Sequence, residues 1–209
     1  MARDNIRAFD IVGDIAMIET PTPSKATQMA KRVMLQHKHI KSVYRKIGGH
    51  EGKLRLQNLK HILGEKRTVT MHRENGVSLK LDIAKVYFSP RQATERQRVF
   101  SQIKKLETVL VMFSGIGSFT IEIAKNTPAV SVYGIELNKI ALKYAVENAK
   151  LNKIESKVKL LCGDVRKMVP MLREKFDRII KPLPKGAESF LDVAFAAAKK
   201  RAVKHFYDI

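Results

Sequence analysis

The stretch that most limits how this chain folds is residues 109–119, Val-Leu-Val-Met-Phe-Ser-Gly-Ile-Gly-Ser-Phe, where an apolar run stops at a Ser-Gly-x-Gly turn and a helical pattern begins. Such a run reads as a strand, a tight loop and a helix start. Gly115 and Gly117 allow a sharp turn and a close approach of ligand to the main chain, and the N–H groups that open the helix near Ser118 point into the same space. Twenty-one residues after Gly115, the run from Ala129 ends in Glu136, a carboxylate at the tip of the next strand, where nucleotide-binding folds hold a ribose. A Gly-x-Gly turn alone is common and most such turns bind nothing, and the third fingerprint position is Thr120 rather than glycine. The continuation carries more weight. A helical pattern follows Leu137, then a strand Lys157–Cys162 ends in Gly163-Asp164. Neighbouring parallel strands open their carboxyl ends onto one crevice, so the glycine loop, Glu136 and Asp164 are expected to converge on one ligand.

At 209 residues the chain has room for one sizeable core, or one core and a small satellite domain, and 44% hydrophobic residues argue for a folded protein. No apolar run approaches the roughly 18 residues of a membrane span, and the N-terminus lacks a signal-peptide core, so no membrane partner and a cytoplasmic location are expected. The single cysteine, Cys162, excludes an internal disulfide framework and is expected to pack inside a strand. Forty Lys and Arg against 20 Asp and Glu give a net charge of +20, which points to a polyanionic partner. The excess is not uniform: residues 31–73 hold 12 Lys or Arg against two acids, Glu51 and Glu65, and five of the six histidines. His37 and His39 are too isolated from other ligand types to form a metal site, and no metal is expected.

In chain order, residues 9–19 read as a hairpin around Gly13-Asp14, Ser24 as the cap of a helix from Lys25 to about Gln36, residues 40–47 as a strand, and residues 48–52 as a glycine-rich loop. Lys53 to Arg67 interleaves cations with Leu54, Leu56, Leu59, Ile62 and Leu63, either an amphipathic segment with a wet cationic face or a face that tracks phosphates. Asn75-Gly76 marks a hairpin between Thr68–His72 and Val77–Ile83. Ala84–Ser89 is expected as a strand closed by Pro90, and Thr94–Leu106 as a connecting helix. After the Gly-x-Gly stretch the alternation continues: helix 165–174, strand 176–181, a Pro-rich loop from Pro182, helix 187–199 and strand 202–207. Alternation of this kind implies a largely parallel sheet, hence an α/β fold with a Rossmann-like core over residues 85–209, preceded over residues 1–84 by a small basic α+β domain suited to a polyanion.

Several runs together, Phe9-Asp-Ile-Val-Gly-Asp-Ile-Ala, Arg45-Lys-Ile-Gly-Gly with Arg55, His72-Arg-Glu-Asn-Gly, Val86-Tyr-Phe-Ser-Pro-Arg with Thr94-Glu-Arg, Met112-Phe-Ser-Gly-Ile-Gly, Gly163-Asp-Val-Arg and Leu183-Pro-Lys, resemble the archaeal and eukaryotic tRNA (guanine-37-N1)-methyltransferases over nearly the whole chain. The resemblance implies a class I methyltransferase core, S-adenosyl-L-methionine as cofactor, tRNA as partner and methylation of N1 of the guanine 3′ of the anticodon. It makes Glu95 the general base and Arg55 the residue that holds the guanine O6. It puts Arg96, Phe113, Ser114, Gly115, Gly117, Glu136, Leu137, Asp164, Val165 and Pro182 at the cofactor. The RNA is expected to meet Arg45, Lys46, Lys53, Arg67, Arg73, Tyr87 and Arg91. The base and the arginine suit the chemistry, because guanine N1 is a poor nucleophile until its proton leaves and negative charge develops on O6 as it does so.

The chain departs from the family pattern at Val111, where an acidic residue usually ends the first core strand, and at Pro182, where an asparagine usually precedes Leu-Pro; a proline there removes an amide and a backbone donor. The elbow-docking N-terminal domain of the family is missing, so the expected state is a monomer with a separate partner for the tRNA elbow. The chain stops at about the fifth core strand, which leaves an exposed edge. Two other readings stand beside the main one: a wybutosine-pathway aminocarboxypropyltransferase using the same cofactor, and a catalytically impaired tRNA-binding protein.

Overall fold

The computed structural model describes residues 9–20, 22–182 and 190–207. These divide into two compact units, one running to Arg73 and including Lys80–Arg91, the other comprising Glu74–Leu79 and Gln92 onward. The division therefore falls at Arg91/Gln92 rather than at 84/85, and a hairpin tip belongs to the second unit. No helix among the described residues is long and apolar enough to cross a membrane.

In the first unit, strands β1 (Phe9–Val12), β2 (Ile15–Ile18), β3 (Ser42–Glu51) and β4 (Leu56–Gly64) form a sheet in that order. The β1–β2 hairpin turns at Gly13, where φ is +58° and a Cβ would lie 2.5 Å from the Met71 carbonyl oxygen, so both backbone and space demand glycine. Helix α1 (Pro23–Gln36) crosses between the parallel strands β2 and β3. Its cap is Thr22, not Ser24: proline at the first helical position has no N–H to satisfy, and the Thr22 hydroxyl accepts from the Lys25 N–H. Ala26, Ala30 and Val33, at helical spacing, bury against Ala16, Ile18 and Val43. Two expectations change here. The Gly48-Gly49 loop is a register shift inside the long strand β3, with Gly48 at φ +64°. The middle of the cation-rich stretch is strand β4, paired antiparallel with β3; the strand itself carries one cation, Lys60, and Lys53, Arg55, Lys66 and Arg67 flank it.

The hairpin of β5 (Val69–Glu74) and β6 (Val77–Asp82) turns through Asn75 at φ +44° and Gly76 at φ +76°, the two left-handed residues of a tight hairpin. Ala84–Ser89 is not a strand. The buried Asp82 carboxylate accepts the Ala84 N–H and the Asp82 carbonyl takes those of Lys85 and Val86, so the chain coils into turns instead of extending.

The second unit is a five-stranded, all-parallel sheet of β7 (Thr108–Met112), β8 (Ser131–Glu136), β9 (Val158–Cys162), β10 (Phe176–Lys181) and β11 (Ala198–Phe206), in the order β11-β10-β7-β8-β9. The first strand in sequence is central. The chain winds outward from it to β9 on one side and to β11 on the other, so the order reverses at β7, where open α/β sheets bind ligands. Helices α2 (Ala93–Phe100), α3 (Ser118–Asn126), α4 (Lys139–Leu151), α5 (Val165–Met171) and α6 (Leu191–Ala197) complete the unit. Leu110, Met112, Tyr133, Ile135, Phe176 and Ile179 pack with Val165, Val169, Val193 and Ala194 of α5 and α6. Helix α2 stops at Phe100, well short of 106, α5 at Met171, and β11 begins four residues before the expected 202. The first residues of the expected helix 187–199 lie outside the described residues. Cys162 is exposed, not packed, because it sits at the open end of the edge strand β9.

Candidate functional site

In the second unit the loop after β7 carries three left-handed residues, Phe113 (φ +57°), Gly115 (φ +57°) and Gly117 (φ +84°). A Cβ on Gly117 would press on Ile121 Cγ1 at 3.1 Å and on the Ala145 Cβ at 3.2 Å, so this glycine lets α3 start close against α4. The loop is tied to the neighbouring strand end by one carboxylate. Glu136 Oε2 accepts the Gly115 N–H at 2.8 Å, and Oε1 accepts the Asn138 N–H at 2.7 Å. Burial pushes the Glu136 carboxyl above its usual range, and the N–H groups of Asn138, Gly115 and Leu137 work against that shift. Of the carboxylate's four or so lone-pair sites these three N–H groups leave one for a further donor.

Asn138 caps α4 through Ile140 N–H at 2.9 Å, and Asp164 caps α5 through Arg166 N–H at 2.8 Å, so both polar residues that follow strand ends have structural duties. Leu137 is exposed, Phe113 and Pro182 are half-buried, and the Phe113 ring meets the edge of Phe190 at 4.9 Å. A half-buried carboxylate at Glu136 for a diol, an exposed carboxylate at Asp164 and apolar surface from Phe113 and Leu137 at neighbouring strand ends fit a nucleoside. Val165 and Ser114 are buried, with the Val165 side chain in the core. The buried Ser114 Oγ lies 3.1 Å from where a Cβ on Gly134 would stand, which puts it toward β8.

Arg96, expected at the cofactor, lies buried between two carboxylates. It is 1% exposed, with Nη2 2.7 Å from a Glu74 oxygen and Nε 2.9 Å from Glu122 Oε1, and its guanidinium lies 5.9 Å from the Phe119 ring centre. Sequence gives no sign of this cluster, because its members come from the hairpin tip, α2 and α3. The preceding residue, Glu95, is half-buried and takes two hydrogen bonds from Arg98, each 2.7 Å, and one from the Tyr207 hydroxyl at 2.8 Å. Arg98, foremost, holds the Glu95 carboxyl below its usual range; burial opposes this and Tyr207 supports it.

The first unit contains its own cavity, of about 240 Å³, lined by Asp10, Lys46, His50, Arg55, Tyr87 and Arg91 among others. Arg55 leaves the turn before β4 with φ +53° and sets its guanidinium 4.9 Å from the Tyr87 ring centre; His50 meets the same ring edge-on at 5.1 Å. Burial and the nearby Arg55 and Lys46 charges pull the His50 imidazole below its ordinary value. The Lys46 ammonium sits between Asp10 at 2.5 Å and Glu19 at 2.8 Å, and Asp10 also takes Arg91 Nε at 2.5 Å.

Of the expected RNA contacts, Lys53, Arg73 and Arg91 are exposed. Arg67 is held by Asp14 and by Glu65 at 2.6 Å, and Arg45 donates from Nε to the Thr20 carbonyl at 3.1 Å. Both Lys46 and Arg67 are thus committed to carboxylates inside their own unit. Among the described residues no cluster of His, Cys, Asp and Glu is arranged to hold a metal ion.

The family described as the TRM5/TYW2 methyltransferase domain matches residues 70–209, and the TYW2 N-terminal domain matches residues 1–68. The tRNA (guanine(37)-N(1))-methyltransferase Trm5b of Pyrococcus abyssi is 46% identical over 202 residues, covering 96% of this chain and 59% of its own length. Its crystal structure superposes with a TM-score of 0.85 at 45% identity over the same shares of each chain. The complex of aTrm5 with tRNALeu gives a TM-score of 0.83 at 34% identity, over 92% of this chain and 56% of that one. Methanocaldococcus jannaschii Trm5 in complex with adenosine gives 0.79 at 34% identity, over 93% and 58%. The chain therefore spans less than two thirds of the length of these relatives. With one match over the parallel-sheet unit and its hairpin and another over the segment before them, the chain belongs to the TRM5/TYW2 methyltransferase family.

Proposed function

We propose that this chain transfers the methyl group of S-adenosyl-L-methionine to N1 of guanosine 37 in tRNA. The observation that carries the reading is the 46% identity, along 96% of the chain, to a tRNA (guanine(37)-N(1))-methyltransferase. Glu136 would accept from the ribose diol of the cofactor, Asp164 would accept from the adenine amine, and Leu137 and Phe113 would flank the base, while the Gly115 turn leaves main chain exposed to close approach. S-adenosyl-L-methionine, when bound, supplies an electrophilic methyl carbon on a sulfonium, so the donor needs no further activation.

The protein's own work is on the acceptor. Glu95 takes the proton from guanine N1, which frees the electron pair that forms the new N–C bond, and Arg55 donates to O6 where negative charge gathers. Tyr87, already under the Arg55 guanidinium, offers a ring face for the flipped base. Lys53 and Arg73, exposed on the basic unit, supply phosphate contacts. Transfer from donor labelled separately in its methyl and aminocarboxypropyl carbons tests the reading. Methyl label in 1-methylguanosine is expected; label arriving only from the aminocarboxypropyl carbons would replace methyl transfer by the other reaction of the wybutosine pathway.

A further inference from the structure

Glu95 is not a loose first-turn glutamate. Its carboxylate is gripped from its own helix by Arg98, with Nε on Oε2 and Nη2 on Oε1, both at 2.7 Å, and from a segment 112 residues away by the Tyr207 hydroxyl on Oε1 at 2.8 Å. An exposed Glu–Arg pair three residues apart would by itself hold little, because both side chains sample many rotamers in water. The second grip changes that. Tyr207 follows β11 and lays its ring beside Phe119 at 6.4 Å, and the same Phe119 of α3 lies near the buried Arg96. Arg96, fastened to Glu74 and Glu122, fixes the turn of α2 from which Glu95 projects. Backbone and side chain of Glu95 are thus located by separate sets of contacts.

We propose that Arg98 and Tyr207 are positioning residues for Glu95: together they lock its carboxylate in one orientation and leave the remaining lone pair of Oε2 to receive the guanine N1 proton. A carboxylate has about four lone-pair sites, of which three are taken here, two on Oε1 and one on Oε2. The inference rests on Glu95 being the base. The charged and titratable groups around it are Arg98 from α2, and His205 and Tyr207 from β11 and the segment after it. His205, pulled down to about 4 chiefly by burial, stays neutral across an assay between about pH 5 and 9. Burial and the Glu95 charge keep the Tyr207 phenol protonated, as a donor.

Carbon-13 carboxyl NMR of the intact protein without tRNA reads the grip directly, with the Glu95 signal assigned by its loss in Glu95→Gln. Arg98→Gln and Tyr207→Phe should each raise the Glu95 midpoint, by roughly half to one pH unit, and Arg98→Lys should recover part of the shift. Phenylalanine at 207 keeps the ring beside Phe119, so this variant tests the hydroxyl alone. In single-turnover assays on tRNA the acid limb of the rate profile should move up with the same variants, since a base with a raised pKa is protonated at higher pH, while KM for tRNA stays unchanged. Profiles that superpose on the wild type, with at most a uniform drop in rate, would overturn the positioning role. An NMR midpoint that moves while the rate profile does not would reject the inference through the base assignment, as would a Glu95→Gln variant that keeps the wild-type rate.

Discussion

Two positions illustrate what single residues are asked to do. Glu95 accepts three hydrogen bonds, which is more than a surface carboxylate needs, and under the proposed reading its only remaining task is to take a proton. Glu95→Gln should slow the single-turnover rate by roughly 10²–10⁴-fold, the usual contribution of a positioned base, with no change in cofactor affinity by calorimetry. A loss of cofactor affinity equal to the loss of rate would assign Glu95 to binding instead. Gly13 makes the opposite point, since its duty is to have no side chain. With φ at +58° and the Met71 carbonyl oxygen 2.5 Å from where a Cβ would stand, Gly13→Ala should lower stability by roughly 2–4 kcal/mol in a urea titration. An unchanged midpoint would mean the hairpin turn relaxes at little cost.

At the scale of elements, the hairpin tip Glu74–Leu79 is fastened to the parallel-sheet unit by polar groups. Asn152 exchanges hydrogen bonds with both main-chain groups of Ser78 at 3.0 and 2.7 Å, Asn75 donates to Glu122 at 2.7 Å, and Arg96 bridges Glu74 and Glu122. One arginine cannot neutralise two buried carboxylates. Burial, and then the Glu74 carboxyl, push Glu122 up to about 8, so the folded protein keeps a proton that the unfolded chain loses near 4.5. The stability this proton contributes is full below about 4.5 and is lost as pH rises through about 8. His205 works in the other direction. Burial, with Arg178 donating to its Nε2 at 2.7 Å, pulls it from 6.5 to about 4, so its contribution is full above 6.5 and lost as pH falls through 4. The window between 6.5 and about 8 therefore reads the proton shared by the Glu74–Glu122 pair rather than that of His205. The thermal midpoint should fall across it in the wild type and stay level in Glu122→Gln, where an amide stands in for the protonated acid. A wild-type slope that survives in the variant would move the proton elsewhere.

For the whole molecule, the net charge of +20 states the class of partner but not the contacts. Lys46 and Arg67 spend their charge on Asp10, Glu19, Asp14 and Glu65, whereas Lys53 and Arg73 lie exposed. Replacing Lys53 and Arg73 by alanine should weaken tRNA binding and flatten its salt dependence by about 0.7–0.9 per lost phosphate contact, while Arg67→Ala should mainly destabilise its own unit. Equal slopes in all variants would relocate the RNA to another face. The parallel sheet, the placing of the glycine loop and Glu136 at neighbouring strand ends and the Asn75-Gly76 hairpin were readable in the sequence because each follows from a local rule: an apolar run, a fixed offset, a turn dipeptide. Arg96, Tyr207 and the turn at Ala84–Ser89 were not. The carboxylates that bury Arg96, the hydroxyl that reaches Glu95 from 112 residues away and the Asp82 side chain that coils the following residues are choices made by tertiary contacts, which no window of sequence displays.

The central claim, methyl transfer to one guanosine, is tested most directly by mapping the product. An unmodified tRNA transcript with guanosine at position 37, and a second with adenosine there, would be incubated with the protein and S-adenosyl-L-methionine, digested to oligonucleotides and weighed. The account predicts a single methyl increment, identified as 1-methylguanosine, on the fragment containing position 37 of the first transcript and none on the second. Methyl groups on another nucleotide, or equal labelling of both transcripts, would contradict it.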